Sequence, residues 1–174
     1  AALWLIERAQ AEFGADRMLI GGASAGANLA VVTMLRLRDR HGYGGFAAAN
    51  LVFGGFAMGN RSIGSRLGGE TLWPPRSHRE WIAQAYAGDH DLSDPEISPL
   101  YADLHDLPRA LFTIGTKDAL LEDSLFMYAR WVAARNPAEL AVYPGGWHGF
   151  VNADVPIAKQ ASQRIQEFIR AALA

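Results

Sequence analysis

Short apolar runs alternate with helical patterns along these 174 residues, and the alternation leaves few folds open. Met18-Leu19-Ile20 is stopped by Gly21-Gly22, and Phe46 to Phe53 is closed by Gly54-Gly55. Arg109 to Gly115 and Glu139 to Tyr143 are two more runs of strand length. Between them lie helical patterns: Leu3, Ile6, Ala9 and Phe13 ending at Gly14, then Ala25 to about Arg40, Leu121 to Arg135, and Val155 to Leu173. Wholly apolar short strands alternating with amphipathic helices predict an α/β fold, a parallel sheet of four strands with helices on both faces. From Ala57 to Leu107 the rhythm breaks, in a stretch rich in Gly, Pro, Ser and His. Fifty residues without a strand exceed an ordinary connection, so 57–107 is expected to be an excursion over one end of the sheet, with a helix near Ser77 to Tyr86. Working residues in such sheets sit just past the carboxyl ends of the strands.

Composition narrows the chemistry. At this length a single domain over 1–174 is expected. The formal net charge is −2, which gives no electrostatic reason to expect nucleic acid or an anionic membrane as partner. There is no cysteine, which removes disulfides, thiolate metal sites and a cysteine nucleophile. His41, His78, His90, His105 and His148 form no close ligand pair, so neither a metal nor another cofactor is expected. No run reaches the roughly 20 apolar residues of a membrane span. No basic segment followed by an apolar one opens the chain, which favours a cytoplasmic site.

Three residues past strand ends carry the chemistry. Gly22-Ala23-Ser24-Ala25-Gly26 is a G-x-S-x-G between a strand and a helix. A sharp turn there lifts a serine hydroxyl clear of the backbone, at a helix N-terminus that favours negative charge. The bland alternative is a glycine turn with Ser24 as a helix cap. A phosphate loop, Gly21-x-Ala23-x-x-Gly26, has alanine where close approach needs glycine, and the acidic residue expected about 20 positions on is missing. Asp118 follows the third strand, 94 residues after Ser24, and His148 follows the fourth, 30 residues after Asp118. Serine, then carboxylate, then histidine is the chain order of α/β hydrolases.

The motifs resemble one family. Ile20 to Ala30, around Ser24, resembles the nucleophile elbow of hormone-sensitive-lipase-like (family IV) carboxylesterases of the α/β-hydrolase fold. Ile97-Ser98-Pro99-Leu100 resembles the segment before that family's acid strand. Gly115 to Leu120 resembles its acid motif, and Val142 to Phe150 its histidine motif. Ala23 stands where the family often has Asp, and Ala27 where it often has Gly. The family's upstream H-G-G-G motif has no counterpart before Ser24, and His41-Gly42-Tyr43-Gly44-Gly45 is read as a mere connection. The chain is therefore expected to be the C-terminal part of such a domain, truncated at its N-terminus.

The resemblance implies ester hydrolysis through an acyl-enzyme, with Ser24 as nucleophile, His148 as base and Asp118 as its orienting acid. Glu122 is a reserve for the acid, and Glu122 and Asp123 otherwise read as acids of a helix's first turn. The Ala25 N–H is the expected oxyanion donor. Trp73, Trp81, Tyr86 and Trp147 are candidate pocket linings, with packing of the excursion as the alternative role. A small-molecule ester, short-chain for preference, is the expected substrate. A ligand-binding relative without catalysis and a peptidase or amidase of the same fold are the alternatives. With its first strand at an edge, the chain alone is expected to be poorly soluble or to pair edge to edge as a homodimer.

Overall fold

The computed structural model describes residues 1–59 and 72–174. Four strands, β1 (Leu19–Ala23), β2 (Ala48–Val52), β3 (Ala110–Lys117) and β4 (Ala138–Trp147), form one sheet in the order β1-β2-β3-β4. All three pairings are parallel. Helix α1 (Ala2–Phe13) precedes β1, α2 (Ala25–His41) follows it, and α3 (Arg76–Ala87) lies between β2 and β3. Helix α4 (Leu121–Ala133) links β3 to β4, and α5 (Pro156–Leu173) closes the chain. Two short 3₁₀ turns cover Pro99–Tyr101 and Phe150–Asn152.

Side chains that alternate along the strands divide between two faces. Ala49 and Leu51 of β2, with Ala110 and Phe112 of β3, pack against Val31, Met34 and Leu35 of α2 and Met127 and Trp131 of α4. Ala48 and Leu111 turn the other way and meet Phe168 of α5. The helices therefore cover both faces, as the alternating pattern predicts. Trp131 anchors the larger core: its ring meets Phe112 edge-on at 5.6 Å, and its Nε1–H donates to Pro108 O at 3.0 Å. Past α4, the buried Asn136 donates to Leu104 O (2.5 Å) and accepts from Leu107 N–H (3.1 Å), tying the end of the excursion to the body.

Helix ends agree with the glycine signals: Gly14 and Gly42 cap α1 and α2 in the left-handed region, at φ 64° and 61°. Two strands run further than expected. β1 passes through Gly21-Gly22 to Ala23, and β4 passes through Pro144-Gly145-Gly146 to Trp147. Proline is tolerated there because β4 pairs only with β3 within the described sheet. The excursion carries α3 and the first 3₁₀ turn, and no strand among its described residues. Its portion from 60 to 71 lies outside the described residues. No described helix is long and apolar enough to cross a membrane.

Candidate active site

Ser24 stands between β1 and α2 with φ 55° and ψ −120°, a left-handed φ that is uncommon for a non-glycine residue. Its N–H is held by Val52 O at 2.9 Å, and its carbonyl accepts from Ala27 and Asn28 N–H at 3.0 and 3.4 Å. The N–H groups of Ala25 and Gly26 thus lie in the first turn of α2, where backbone donors have no partner within the helix. The turn is this tight only because of Gly22. A Cβ there would lie 2.3 Å from Gly26 C and 2.8 Å from Ala27 N, both backbone atoms.

The other two candidates converge on Ser24. His148 Nε2 lies 2.9 Å from Ser24 Oγ, and His148 Nδ1 lies 2.9 Å from Asp118 Oδ2. Asp118 Oδ1 accepts the Leu120 N–H at 2.8 Å. A ring that donates Nδ1–H to the carboxylate presents Nε2 as an acceptor toward the serine hydroxyl. The Asp118 side chain is fully buried, and that of His148 nearly so. Phe53 packs edge-on against the imidazole at 4.8 Å. The loop that carries His148 is steered by two contacts: Gly145 N–H donates to Thr116 Oγ1 at 2.8 Å, and the bare Gly115 lets Gly146 close in. A Cβ on Gly115 would meet Gly146 O at 2.2 Å. A register shift between β3 and β4 falls at the same place, so the strand bends as it delivers His148. His148 Nδ1 meets Asp118, not the reserve acid Glu122.

Beside Ser24 opens a cleft of about 580 Å³. Gly55, Ala57 and Met58 line one wall; Arg79, Ile82 and Ala83 of α3 line another. Trp73, Trp81, Tyr86 and Trp147, the candidate linings, are not among the residues that line it. The i, i+3, i+4 spacing of 79, 82 and 83 puts a different face of α3 on the cleft from the one bearing Trp81. Trp73 and Trp81, 57% and 66% exposed, sandwich His78 in a stack with centroids 5.7 and 6.0 Å apart. Tyr86 and Trp147 are also largely exposed.

Comparison with known proteins agrees with this fold. The family model described as the alpha/beta hydrolase fold matches residues 1–152. The chain belongs to the α/β-hydrolase family. Within it, the chain falls in the hormone-sensitive-lipase-like branch. It is 31% identical over 162 residues to an esterase of Acinetobacter venetianus, covering 87% of this chain and 51% of the relative. It is 33% identical over 163 residues to the carboxylic ester hydrolase LipN of Mycobacterium tuberculosis, covering 87% and 43%. A crystal structure of a hormone-sensitive lipase from a metagenome library superposes with a TM-score of 0.85 at 30% identity, over 90% of this chain and 55% of that one. The chain spans about half the length of the curated relatives it matches.

Three buried polar residues of this hydrolase fold have local roles that sequence reading did not assign. Asn28 and Ser98 lie inside the quoted motifs, but nothing in residue type alone gives them partners. Asp123 does lie in the first turn of α4, as expected, and its carboxylate also reaches another element. Its Oδ2 accepts the N–H groups of Phe56 and Ala57 at 2.7 and 3.0 Å. Burial raises its pKa to about 6, against the opposing pull of those two N–H groups and the charge of Arg79.

Proposed function

We propose that this protein is a serine carboxylic-ester hydrolase, acting on short-chain esters through an acyl-enzyme held by Ser24, His148 and Asp118. The observation that carries the reading is the single imidazole within 2.9 Å of both the Ser24 hydroxyl and the Asp118 carboxylate. Ser24 Oγ attacks the ester carbonyl as its proton passes to His148 Nε2. Asp118 fixes the ring and stabilises the imidazolium. His148 then protonates the leaving alcohol, and a water activated by the same ring releases the acid. The Ala25 N–H, at the start of α2, is the donor to the oxyanion. One such donor is worth on the order of 10²–10³ in rate.

Ile82, Ala83, Leu92 and Leu120 line the cleft that holds Ser24, which suits the apolar part of an ester. Names of the matched relatives, an esterase and a carboxylic ester hydrolase, support the same reading.

A fluorophosphonate that modifies activated serines tests the proposal. Labelling of Ser24, abolished by Ser24→Ala, is expected together with hydrolysis of p-nitrophenyl acetate. Absence of labelling in the native protein would point to a ligand-binding relative instead. Faster cleavage of a p-nitroanilide than of the ester would point to a peptidase.

A further inference from the structure

The wall of the cleft from Gly55 to Met58 is irregular backbone, and four of its polar groups are claimed by side chains from other elements. Gly55 O accepts from Asn28 Nδ2 at 2.8 Å. Phe56 and Ala57 N–H both donate to Asp123 Oδ2. Met58 N–H donates to Ser98 Oγ at 2.7 Å, and Phe56 O accepts the Leu100 N–H at 3.0 Å. The remaining hydrogens tie the holders to the excursion: Asn28 Nδ2 also donates to Ile97 O at 3.1 Å, and Ser98 Oγ donates to Leu92 O at 2.5 Å. Asn28, Ser98 and Asp123 are 1%, 0% and 5% exposed. A buried polar side chain costs free energy unless it is bonded, so three of them converging on four consecutive residues is a built feature.

Two of the holders are rooted beside the reacting groups. Asn28 lies about one helical turn beyond Ser24 on α2, and Asp123 about one turn beyond Asp118 on α4. None of the three takes part in the acyl-transfer steps. Asn28 and Asp123 instead relate the wall to the elements that follow the nucleophile and the triad acid, and Ser98 ties it to the excursion.

We propose that Asp123, assisted by Asn28 and Ser98, is a positioning residue that fixes the 55–58 wall against Ser24 and thereby sets how tightly an ester is held. The inference deepens the hydrolase reading and rests on it. A fixed wall acts on the bound substrate more than on the chemical step, so its loss separates KM from kcat. A single carboxylate oxygen spans two adjacent N–H groups, which an alanine cannot do and an asparagine oxygen can.

Steady-state kinetics with p-nitrophenyl butyrate, paired with amide hydrogen exchange, tests this. Asp123→Ala should raise KM about tenfold or more while kcat stays within about threefold, and Asp123→Asn should restore KM to within about threefold of the native value. The Phe56 and Ala57 amides should exchange at least about tenfold faster in Asp123→Ala, with Leu111 and Phe112 of β3 unchanged. An unchanged KM with unchanged Phe56 and Ala57 exchange, and only a lower melting temperature, would overturn the proposal. So would a fall in kcat and fluorophosphonate labelling at unchanged KM, which would move Asp123 into the reacting machinery. Should Asp123→Ala fail to fold, Ser98→Ala carries the same test, read at the Met58 amide. A native protein inert toward the ester would sink the hydrolase reading, and exchange at Phe56 and Ala57 would still decide whether Asp123 holds the wall.

Discussion

At Ser24 the backbone takes up a conformation that L-residues avoid, and Gly22 makes room for it. Gly22→Ala should cost about 2 kcal/mol or more, because the new methyl meets backbone that cannot rotate away. Equilibrium urea unfolding measures that loss. Asp118→Asn keeps the shape of the side chain but not the charge that orients and supports the imidazole, and kcat for p-nitrophenyl acetate should fall roughly 10³–10⁴-fold with the fold intact. Asp123 answers to pH instead. Burial lifts its folded pKa to about 6 from the 3.8 of a free carboxyl, so the native protein binds this proton more tightly than the unfolded chain. Stability from this group is therefore highest below about pH 4 and declines as pH rises to about 6, by roughly 3 kcal/mol in all. Asp123→Asn should flatten that part of the profile, as urea midpoints at pH 4.5 and 7 would reveal. Ser24, Asp118 and His148, the proposed triad, could be singled out from sequence because each lies just past a strand end. The bonds from Asn28, Ser98 and Asp123 to the 55–58 wall could not, because they join residues 27 to 67 positions apart along the chain.

Among the elements, periodicity located all four strands and all five described helices. It misplaced ends where glycine had two meanings. Gly21-Gly22 and Gly145-Gly146 look like stops, but they lie inside β1 and β4, where bare backbone permits close approach to Asn50, Gly26 and Gly115. The same limit explains the aromatic residues of α3. Residue type offers Trp81 as a pocket lining or as packing of the excursion, whereas only the helix's rotation says which side faces the cleft. On α4 rotation is decisive in the other direction, since it buries Met127 and Trp131 completely. Trp131→Ala removes a ring packed on Phe112 and leaves Pro108 O without its indole donor, for a loss of about 3–5 kcal/mol in chemical denaturation.

Across the whole molecule, β1 ends the described sheet, and large apolar side chains of α1 and α2 lie exposed. Trp4 and Phe13 of α1 are 48% and 66% exposed, and Leu29 of α2 is 51% exposed. An open parallel edge beside such a surface is a template for association. Residues 1–174 alone should therefore form dimers or larger species in sedimentation velocity, and a monodisperse monomer would count against this. The overall architecture was the most legible level of all. Alternating elements dictate a parallel sheet, and right-handed crossovers leave little choice in how its helices are placed.

The strand order has one more consequence. Ser24 hangs from β1 and His148 from β4, three strand spacings or about 14 Å apart at the sheet. Ser24 Oγ and His148 Nε2 nevertheless stand 2.9 Å from each other, with Asp118, just past β3, steadying the span. The three side chains work as a caliper closed across the full width of the sheet. Splaying any strand by an ångström opens its jaws, so turnover would serve as a gauge of the sheet's twist, sensitive to distortions that leave the secondary structure intact.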